Sequence, residues 1–259
     1  MSLAGKCALI TGSTGGLGRA AAERFAAAGC NVVLNGIVAP EEMTDALRQL
    51  EATHGIKAAY HRADLRELGQ IAAMMQAVIA TYGAVDILVN NAVVRHFSRI
   101  EDFPVERWNE ALAVNLSAVF HTIRLALPAM RQRAWGRIIN VASPYSFFAT
   151  PNRIDYVTTK TGLLGLTRTV ALETVDADIT CNAVCPGTLP TSAIESKIRD
   201  IAKSKGIPVD IATHDYLAER QPGGRFISLD AVTSLMVYLC GPNTREINGV
   251  SLPVDNGWS

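Results

Sequence analysis

What this sequence lacks first is charge of one sign: 24 Lys and Arg are matched by 24 Asp and Glu, for a formal net charge of +0. Nor does it contain a run of Lys or Arg. Binding to phosphate backbones or anionic lipid rests on clustered cations, so nucleic acid and membrane surfaces are poor partners for this chain. Long hydrophobic runs are missing too, with no stretch of ~18 apolar residues. The opening Met1-Ser2-Leu3-Ala4-Gly5-Lys6 carries no apolar core of a secretion signal. The chain reads as soluble and cytoplasmic. Cysteine is scarce and odd in number, with Cys7, Cys30, Cys181, Cys185 and Cys240 mostly inside apolar runs. That usage fits buried, reduced thiols rather than a disulfide framework. Cys181 and Cys185 stand four apart without a histidine or second cysteine pair nearby, so no metal site is expected.

Hydrophobic residues are abundant: they make up 49% of the 259 positions, enough for a sizeable core. Short apolar runs alternate with longer helical patterns. Residues 7–11, 31–34, 57–61, 85–89, 136–141 and 180–184 read as strands. Residues 17–28, 40–54, 68–82, 105–132 and 155–175 read as helices. Such alternation builds βαβ units and a parallel sheet covered on both faces. The expectation is one α/β domain over 1–259. Residues 187–225 break the rhythm with Pro190, Pro208, Pro222 and Gly223-Gly224 around two short helical segments. An insertion just beyond the carboxyl end of a strand is where a substrate lid sits.

Thr11-Gly12-Ser13-Thr14-Gly15-Gly16-Leu17-Gly18 follows the first strand and opens the first helix. Glycines there let a pyrophosphate approach the free N–H groups of a helix N-terminus, so the turn reads as a dinucleotide site. The end of the second strand commonly carries an acid for the ribose of NAD or a base for the phosphate of NADP. Asn35-Gly36-Ile37 is neither, and no Arg or Lys occupies 12–18 or 35–39. NAD is favoured. Asp64 and Asn90-Asn91-Ala92 end the third and fourth strands, the side of an open sheet where ligands bind. Tyr156 and Lys160 are four apart and share a helix face, with Ser143 thirteen residues before the tyrosine. A phenol titrates near ~10, and a neighbouring cation shifts it toward the pH at which a general base works. By itself the pair is weak, because chance also produces it.

Together these motifs resemble the short-chain dehydrogenase/reductase family over essentially the whole chain. The likeness runs through Thr11 to Gly18, Asn90-Asn91-Ala92, Asn115, Ser143, Tyr156 with Lys160, and Pro186-Gly187. The resemblance implies a doubly wound Rossmann fold with a seven-stranded parallel sheet and a small helical lid. It implies that Tyr156 exchanges a proton with the substrate oxygen, Ser143 holds that oxygen, Lys160 binds the nicotinamide ribose and lowers the phenol pKa, and Asn115 holds a relay water. For the cofactor it implies Gly12, Thr14, Gly16, Leu17, Gly18, Asn35, Asp64, Leu65, Asn90, Ala92, Tyr156, Lys160, Pro186, Gly187 and Thr191. One departure stands out: Val93 follows Asn-Asn-Ala where the family often has glycine, and it narrows the approach to the cofactor. A homotetramer built on the long helices 105–132 and 155–175 is also implied, in keeping with apolar residues on more than one face of each.

Within the family the chain is most similar to the D-3-hydroxybutyrate dehydrogenases, through Leu34-Asn35-Gly36, the segments 61–65, 100–106, 115–118, 124–128 and 135–140, and the closing Gly257-Trp258. Their substrate-holding positions are only partly kept. Arg95 and Lys197 stand for glutamines, Tyr145 for a histidine and Arg153 for a carboxylate-binding lysine, while Trp258 is retained and His96 adjoins the first position. Arg153 still suits a carboxylate, in bidentate fashion. The implied substrate, held by Arg95, His96, Ser143, Tyr145, Arg153, Tyr156, Lys197 and Trp258, is a short hydroxy acid larger or more anionic than 3-hydroxybutyrate. Two rival readings remain: an NADPH-dependent 3-oxoacyl or sugar reductase, and a catalytically silent dinucleotide-binding protein.

Overall fold

The computed structural model describes residues 3–259, apart from the side chain of Ala193. Met1 and Ser2, at the start of the segment read for a secretion signal, lie outside the described residues. Seven strands form one sheet: β1 (Cys7–Ile10), β2 (Asn31–Gly36), β3 (Ala58–Arg62), β4 (Ile87–Asn90), β5 (Trp135–Val141), β6 (Asp178–Pro186) and β7 (Ser251–Val254). Their order is β3-β2-β1-β4-β5-β6-β7 and every pairing is parallel. β1 and β4 sit at the centre, and every residue in both is buried. Parallel strands covered on both faces need apolar side chains in both directions, which explains the unbroken apolar runs CALI in β1 and ILV in β4.

Side chains alternate across each strand, so the sheet sorts them into two cores. Ala8 and Ile10 face one, with Phe25 of α1 (Gly16–Ala27), Leu50 of α2 (Thr44–His54) and Met236 of α9 (Leu229–Tyr238). Leu9 and Leu88 face the other, with Met75 of α3 (Leu68–Tyr82) and Leu163 of α6 (Ile154–Glu173). Ile123 and Met130 of α5 (Ala118–Gln132) complete that second core. The chain moves outward from β1 to β3 and then crosses to β4 on the other side of β1. The crevice at that reversal, above the carboxyl ends of β1 and β4, is where an open α/β sheet binds its ligand.

Three details depart from the pattern of the sequence. Residues 105–132 form one helix long and apolar enough to cross a membrane, 44% buried over its most apolar window. It is not uniform, for a π turn at Ala113–Ser117 separates α4 (Val105–Leu112) from α5, and the Ala118 N–H reaches back five residues to the Ala113 carbonyl. Such a turn swells the helix by one residue and is common at functional sites. β6 runs from 178 to 186, longer at both ends than its apolar centre, because Asp178 pairs with Trp135 and Pro186 with Val254. Finally, periodicity places no strand at 251–254, where Pro253 interrupts the pattern. β7 is an edge strand, where a missing N–H is tolerated.

The insertion after β6 folds into two helices, α7 (Ser192–Lys205) and α8 (Val209–Ala218), joined through Gly206 in the left-handed region (φ 63) and Pro208. Ile198, Ala202 and Ala212 give this hairpin a small core of its own, with Ile207 and Tyr216 packed against it.

Candidate active site

A cavity of about 630 Å³ opens over the carboxyl ends of the central strands. Its floor is the turn between β1 and α1. Gly12 has φ +61, and a Cβ there would lie 2.8 Å from Ala92 Cα, so only glycine lets β1 and β4 close up at this level. A Cβ on Gly18 would run into the Gly12 carbonyl and the Asn91 amide. The N-cap of α1 is Gly15, which offers no side-chain cap, and the first turn contains no acid. Free N–H groups at an uncapped N-terminus attract an anion through both hydrogen bonding and the helix dipole. This is the cradle a dinucleotide pyrophosphate needs.

Along the same cavity lie Thr14, Gly16, Leu17, Asn35, Asp64, Leu65, Ala92, Pro186, Gly187 and Thr191, with Tyr156 and Lys160 at its far end. These sequence-nominated positions converge in space. Asn90 does not join them. It is 4% exposed, its amide donates to Asn140 Oδ1 (2.9 Å) and its Oδ1 accepts from Thr122 (2.8 Å). Asn90 therefore ties β4 to β5 and α5 beneath the site rather than lining it. Its neighbour Asn91 lines the cleft, donating to the Thr11 and Gly12 carbonyls (2.9 and 3.0 Å) and bracing the glycine turn.

The end of the cleft beside β2 and β3 is electrically settled. Asn35 is 1% exposed and its amide is committed to the His61 and Ala63 carbonyls and the Gly12 N–H. Asp64 is chelated by Arg66 (2.5–3.0 Å), which holds the carboxyl below the usual carboxylate range. Arg66 also lies 3.6 Å from Glu110, so the cation lining this end has two carboxylates. Arg62 arrives from β3, outside residues 12–18 and 35–39, and donates to the Ile37 carbonyl (3.1 Å).

Tyr156, 9% exposed on α6, belongs to both this cleft and a second cavity of about 400 Å³. Val93, which departs from the family glycine, lines both as well. Lys160 is 2% exposed, one turn along from Tyr156, with Nζ donating to the Val141 carbonyl (2.5 Å) and 5.7 Å from the Tyr156 ring centre. Burial, reinforced by the Arg95 cation, lowers its pKa to about 7. Ser143 lines the second cavity. Its Oγ accepts from the Tyr145 N–H (3.3 Å), which leaves the hydroxyl hydrogen available to donate. Asn115 lines neither cavity. It is fully buried in the π turn, with Oδ1 accepting from Val94 N–H (2.9 Å) and the amide donating to Val94 O (3.0 Å) and Thr159 Oγ1 (3.3 Å). Both amide hydrogens are committed, so the side chain anchors the 92–95 strap against α6.

The second cavity is the candidate substrate chamber. Arg95, Ser143, Tyr145, Arg153, Lys197 and Trp258 line it with Tyr156, as the sequence placed them. Arg153 lies against the faces of Tyr156 (4.5 Å), Phe97 (4.5 Å) and Tyr145 (5.3 Å), and its Nε is buried without a hydrogen-bond partner. Burial lowers its pKa and raises that of Tyr145, with Arg153 opposing the latter shift. Trp258 packs edge-on against Tyr145 (5.3 Å), held there by Asp255, whose carboxylate accepts from the N–H groups of Gly257, Trp258 and Ser259. His96 is the exception. It lines neither cavity: its N–H donates to Asp155 (3.1 Å) and Nε2 lies 3.3 Å from Glu110. A strand-like strap turns successive side chains to opposite sides, so with Arg95 facing in, His96 faces out. Sequence reasoning missed Phe97, Tyr216 and Arg220, which also line the chamber. The i, i+4 spacing of Tyr216 and Arg220 in the lid was the available signal, although only the hairpin fold sets which helix faces turn inward.

All five cysteines are buried and unpaired, and none lines either cavity.

Comparison with known proteins follows the same outline. Residues 6–202 match a family model described as short chain dehydrogenase. The D-beta-hydroxybutyrate dehydrogenase of Rhizobium meliloti is 43% identical over 254 residues, covering 98% of each chain. That of Cupriavidus necator is 41% identical over 256 residues, covering 99% of this chain and 98% of the other. Among solved structures, L-sorbose reductase from Gluconobacter frateurii, complexed with NADPH and L-sorbose, superposes with a TM-score of 0.94 at 28% identity, over 99% of this chain and 97% of that one.

Proposed function

The chain belongs to the short-chain dehydrogenase/reductase family, oxidoreductases that bind a nicotinamide dinucleotide, and from that premise we propose that it transfers hydride between NAD and a short hydroxy acid of the 3-hydroxybutyrate kind. The observation that carries the substrate class is Arg153: a guanidinium 4.5 Å from the Tyr156 ring, in a chamber that no carboxylate among the described residues lines. A buried cation without a counter-ion is costly, and the carboxylate of a hydroxy acid removes that cost. The names of the relatives at 43% and 41% identity point the same way.

The cofactor, bound in the cleft, supplies the carbon that accepts or returns the hydride. The protein supplies the rest. Arg153 fixes the carboxylate and so sets which carbon lies beside Tyr156. Ser143 donates its free hydroxyl hydrogen to the substrate oxygen. In the oxidation direction Tyr156, as phenolate, takes the hydroxyl proton while the C–H pair departs as hydride; in reduction it returns the proton. When protonated, Lys160 places a positive charge 5.7 Å from the Tyr156 ring centre, beside the group that exchanges the proton. Asn115 positions Val93 and Arg95 through Val94, and is a positioning residue.

NAD over NADP is supported by the adenosine end, where Arg66 is already paired with Asp64 and Glu110 and no second cation among the described residues lines that part of the cleft to meet a further phosphate. The structural neighbour bound to NADPH favours the second reading, a sugar or 3-oxoacyl reductase. Two measurements separate them. Fluorescence titration is expected to give tighter binding of NADH than NADPH. A panel of hydroxy acids, sugars and 3-oxoacyl compounds, read at the NADH absorbance band, is expected to show turnover of hydroxy acids with NAD. Turnover confined to sugars or 3-oxoacyl compounds with NADPH overturns the reading.

A homotetramer is part of the proposal. Phe120 on α5 and Leu172 on α6 are 51% and 73% exposed, the kind of apolar surface a partner copy covers. Light scattering at a mass of four chains is the expected result.

A further inference from the structure

The cations of the chamber are arranged in series, and rings separate them. Arg153 lies 4.5 Å from the Phe97 ring; Lys197 lies 4.6 Å from the same ring and 5.7 Å from Tyr216; Arg220 lies 4.0 Å from Tyr216. The series starts beside Tyr156 and runs outward to the lid helices α7 and α8. Ring faces stabilise a cation without using its N–H groups, so the heads of Arg153 and Lys197 remain free to meet an anion, while Arg220, whose Nη1 donates to the Tyr216 carbonyl (2.8 Å), keeps Nη2 for one. Arg220 makes an ion pair with Glu219 (2.8 Å), a carboxylate whose side chain is 70% exposed and lies outside the chamber; among the described residues Lys197 has no such partner. With Arg95, four cations and no acid among the described residues line this cavity. Burial and the nearby Arg220 and Arg153 depress the Lys197 pKa, the mark of cations crowded without compensation.

A monocarboxylate such as 3-hydroxybutyrate meets Arg153 and leaves Lys197 and Arg220 repelling each other. We propose that the preferred substrate is a hydroxy dicarboxylate, with one carboxylate on Arg153 beside the reacting hydroxyl and the second between Lys197 and Arg220 under the lid. This deepens the hydroxy-acid reading and rests on it. The lid then has a role in recognition, because the second carboxylate bonds to residues of α7 and of the turn after α8 and so draws the hairpin down on the chamber.

The test separates binding from turnover. Calorimetric titration of glutarate and butyrate, neither of which can be oxidised here, into the enzyme with NADH is expected to show glutarate bound roughly tenfold or more tightly, one good charge-assisted contact. Lys197→Met and Arg220→Met are each expected to remove most of that preference, while Lys203→Met, which removes an exposed charge of α7 outside the chamber, keeps it. In kinetics, 3-hydroxyglutarate or 3-hydroxyadipate is expected to exceed 3-hydroxybutyrate in kcat/KM. Equal binding of glutarate and butyrate, or a preference that survives in the Lys197→Met/Arg220→Met double variant, overturns the inference. If glutarate binds as expected but no hydroxy acid is oxidised with either cofactor, the dianion site stands and the proposed reaction falls.

Discussion

The two cavities that meet at Tyr156 are made of different material. The cofactor cleft is walled at its core by backbone: glycines at 12, 16 and 18, an uncapped helix N-terminus, and charges such as Asp64 and Arg66 that already neutralise each other. The chamber is walled by long side chains, Arg95, Arg153, Lys197 and Arg220, interleaved with aromatic rings and short of carboxylates. A backbone-built site suits a ligand that never changes, because few substitutions there are tolerated. A side-chain-built site changes its ligand by exchanging one residue at a time. A member of a large family can thus keep the cleft while its chamber changes.

The largest expected effect falls on the wall the two cavities share. Tyr156→Phe deletes the proton carrier and keeps the ring, so kcat is expected to drop by roughly 10²–10⁴-fold, the usual worth of general acid–base catalysis, with NADH affinity unchanged. Wild-type turnover in this variant would mean that the site is catalytically silent or works by another residue.

A reciprocal pair of substitutions comes next. Arg153→Met is expected to lower kcat/KM for hydroxy acids by roughly 10- to 100-fold, the loss of a charge-assisted contact of about 1.5–3 kcal/mol, and to leave NADH titrations as they were. Gly18→Ala forces a methyl against the Gly12 carbonyl; it is expected to weaken NADH binding and to destabilise the fold by about 1–3 kcal/mol, the range for overpacking. Its relative preference among substrates is expected to stay constant. If Arg153→Met disturbs NADH binding as much as substrate binding, the division between cleft and chamber is wrong.

The smallest effect is one of pH. Lys160 titrates at about 7 in the fold and at 10.5 when unperturbed. Between those values the unfolded chain holds a proton that the native chain has released, so stability rises with pH across that window; below about 7 both states are protonated and the cost of a buried ammonium is fully present. Thermal melts of the cofactor-free protein are expected to show this rise from pH 7 to 10 in wild type and a flatter course in Lys160→Met. Parallel curves would place the Lys160 pKa near its ordinary value.

Much of this molecule was legible in its order of residues. The βαβ rhythm specified the parallel sheet, and all but one of the nominated cofactor positions line a single cleft. Asn90 went astray because a sequence cannot tell whether the last residue of a strand faces the ligand or the next strand; the Asn140 and Thr122 partners that decide it lie 50 and 32 residues away. His96 failed for a similar reason, since neighbouring residues of an extended strap look to opposite sides. The π turn at Asn115 left no periodic trace, because one extra residue is invisible until the Ala118–Ala113 bond that closes it and the strap it holds are both in place. β7 was hidden by Pro253, which reads as a breaker and is harmless only at an edge.

By itself, then, the sequence determined what is local: strand and helix from periodicity, a glycine-rich turn between the first strand and the first helix, and a tyrosine and lysine on one helix face from a four-residue spacing. Tertiary structure alone decided which cations face one another. Arg95, Arg153, Lys197 and Arg220 come from four separate segments, and only the docking of the α7–α8 hairpin over the end of the sheet brings them around one space. Electrostatic repulsion acts through distance in space and not along the chain. The crowding of these four cations around one chamber therefore exists only in the folded protein.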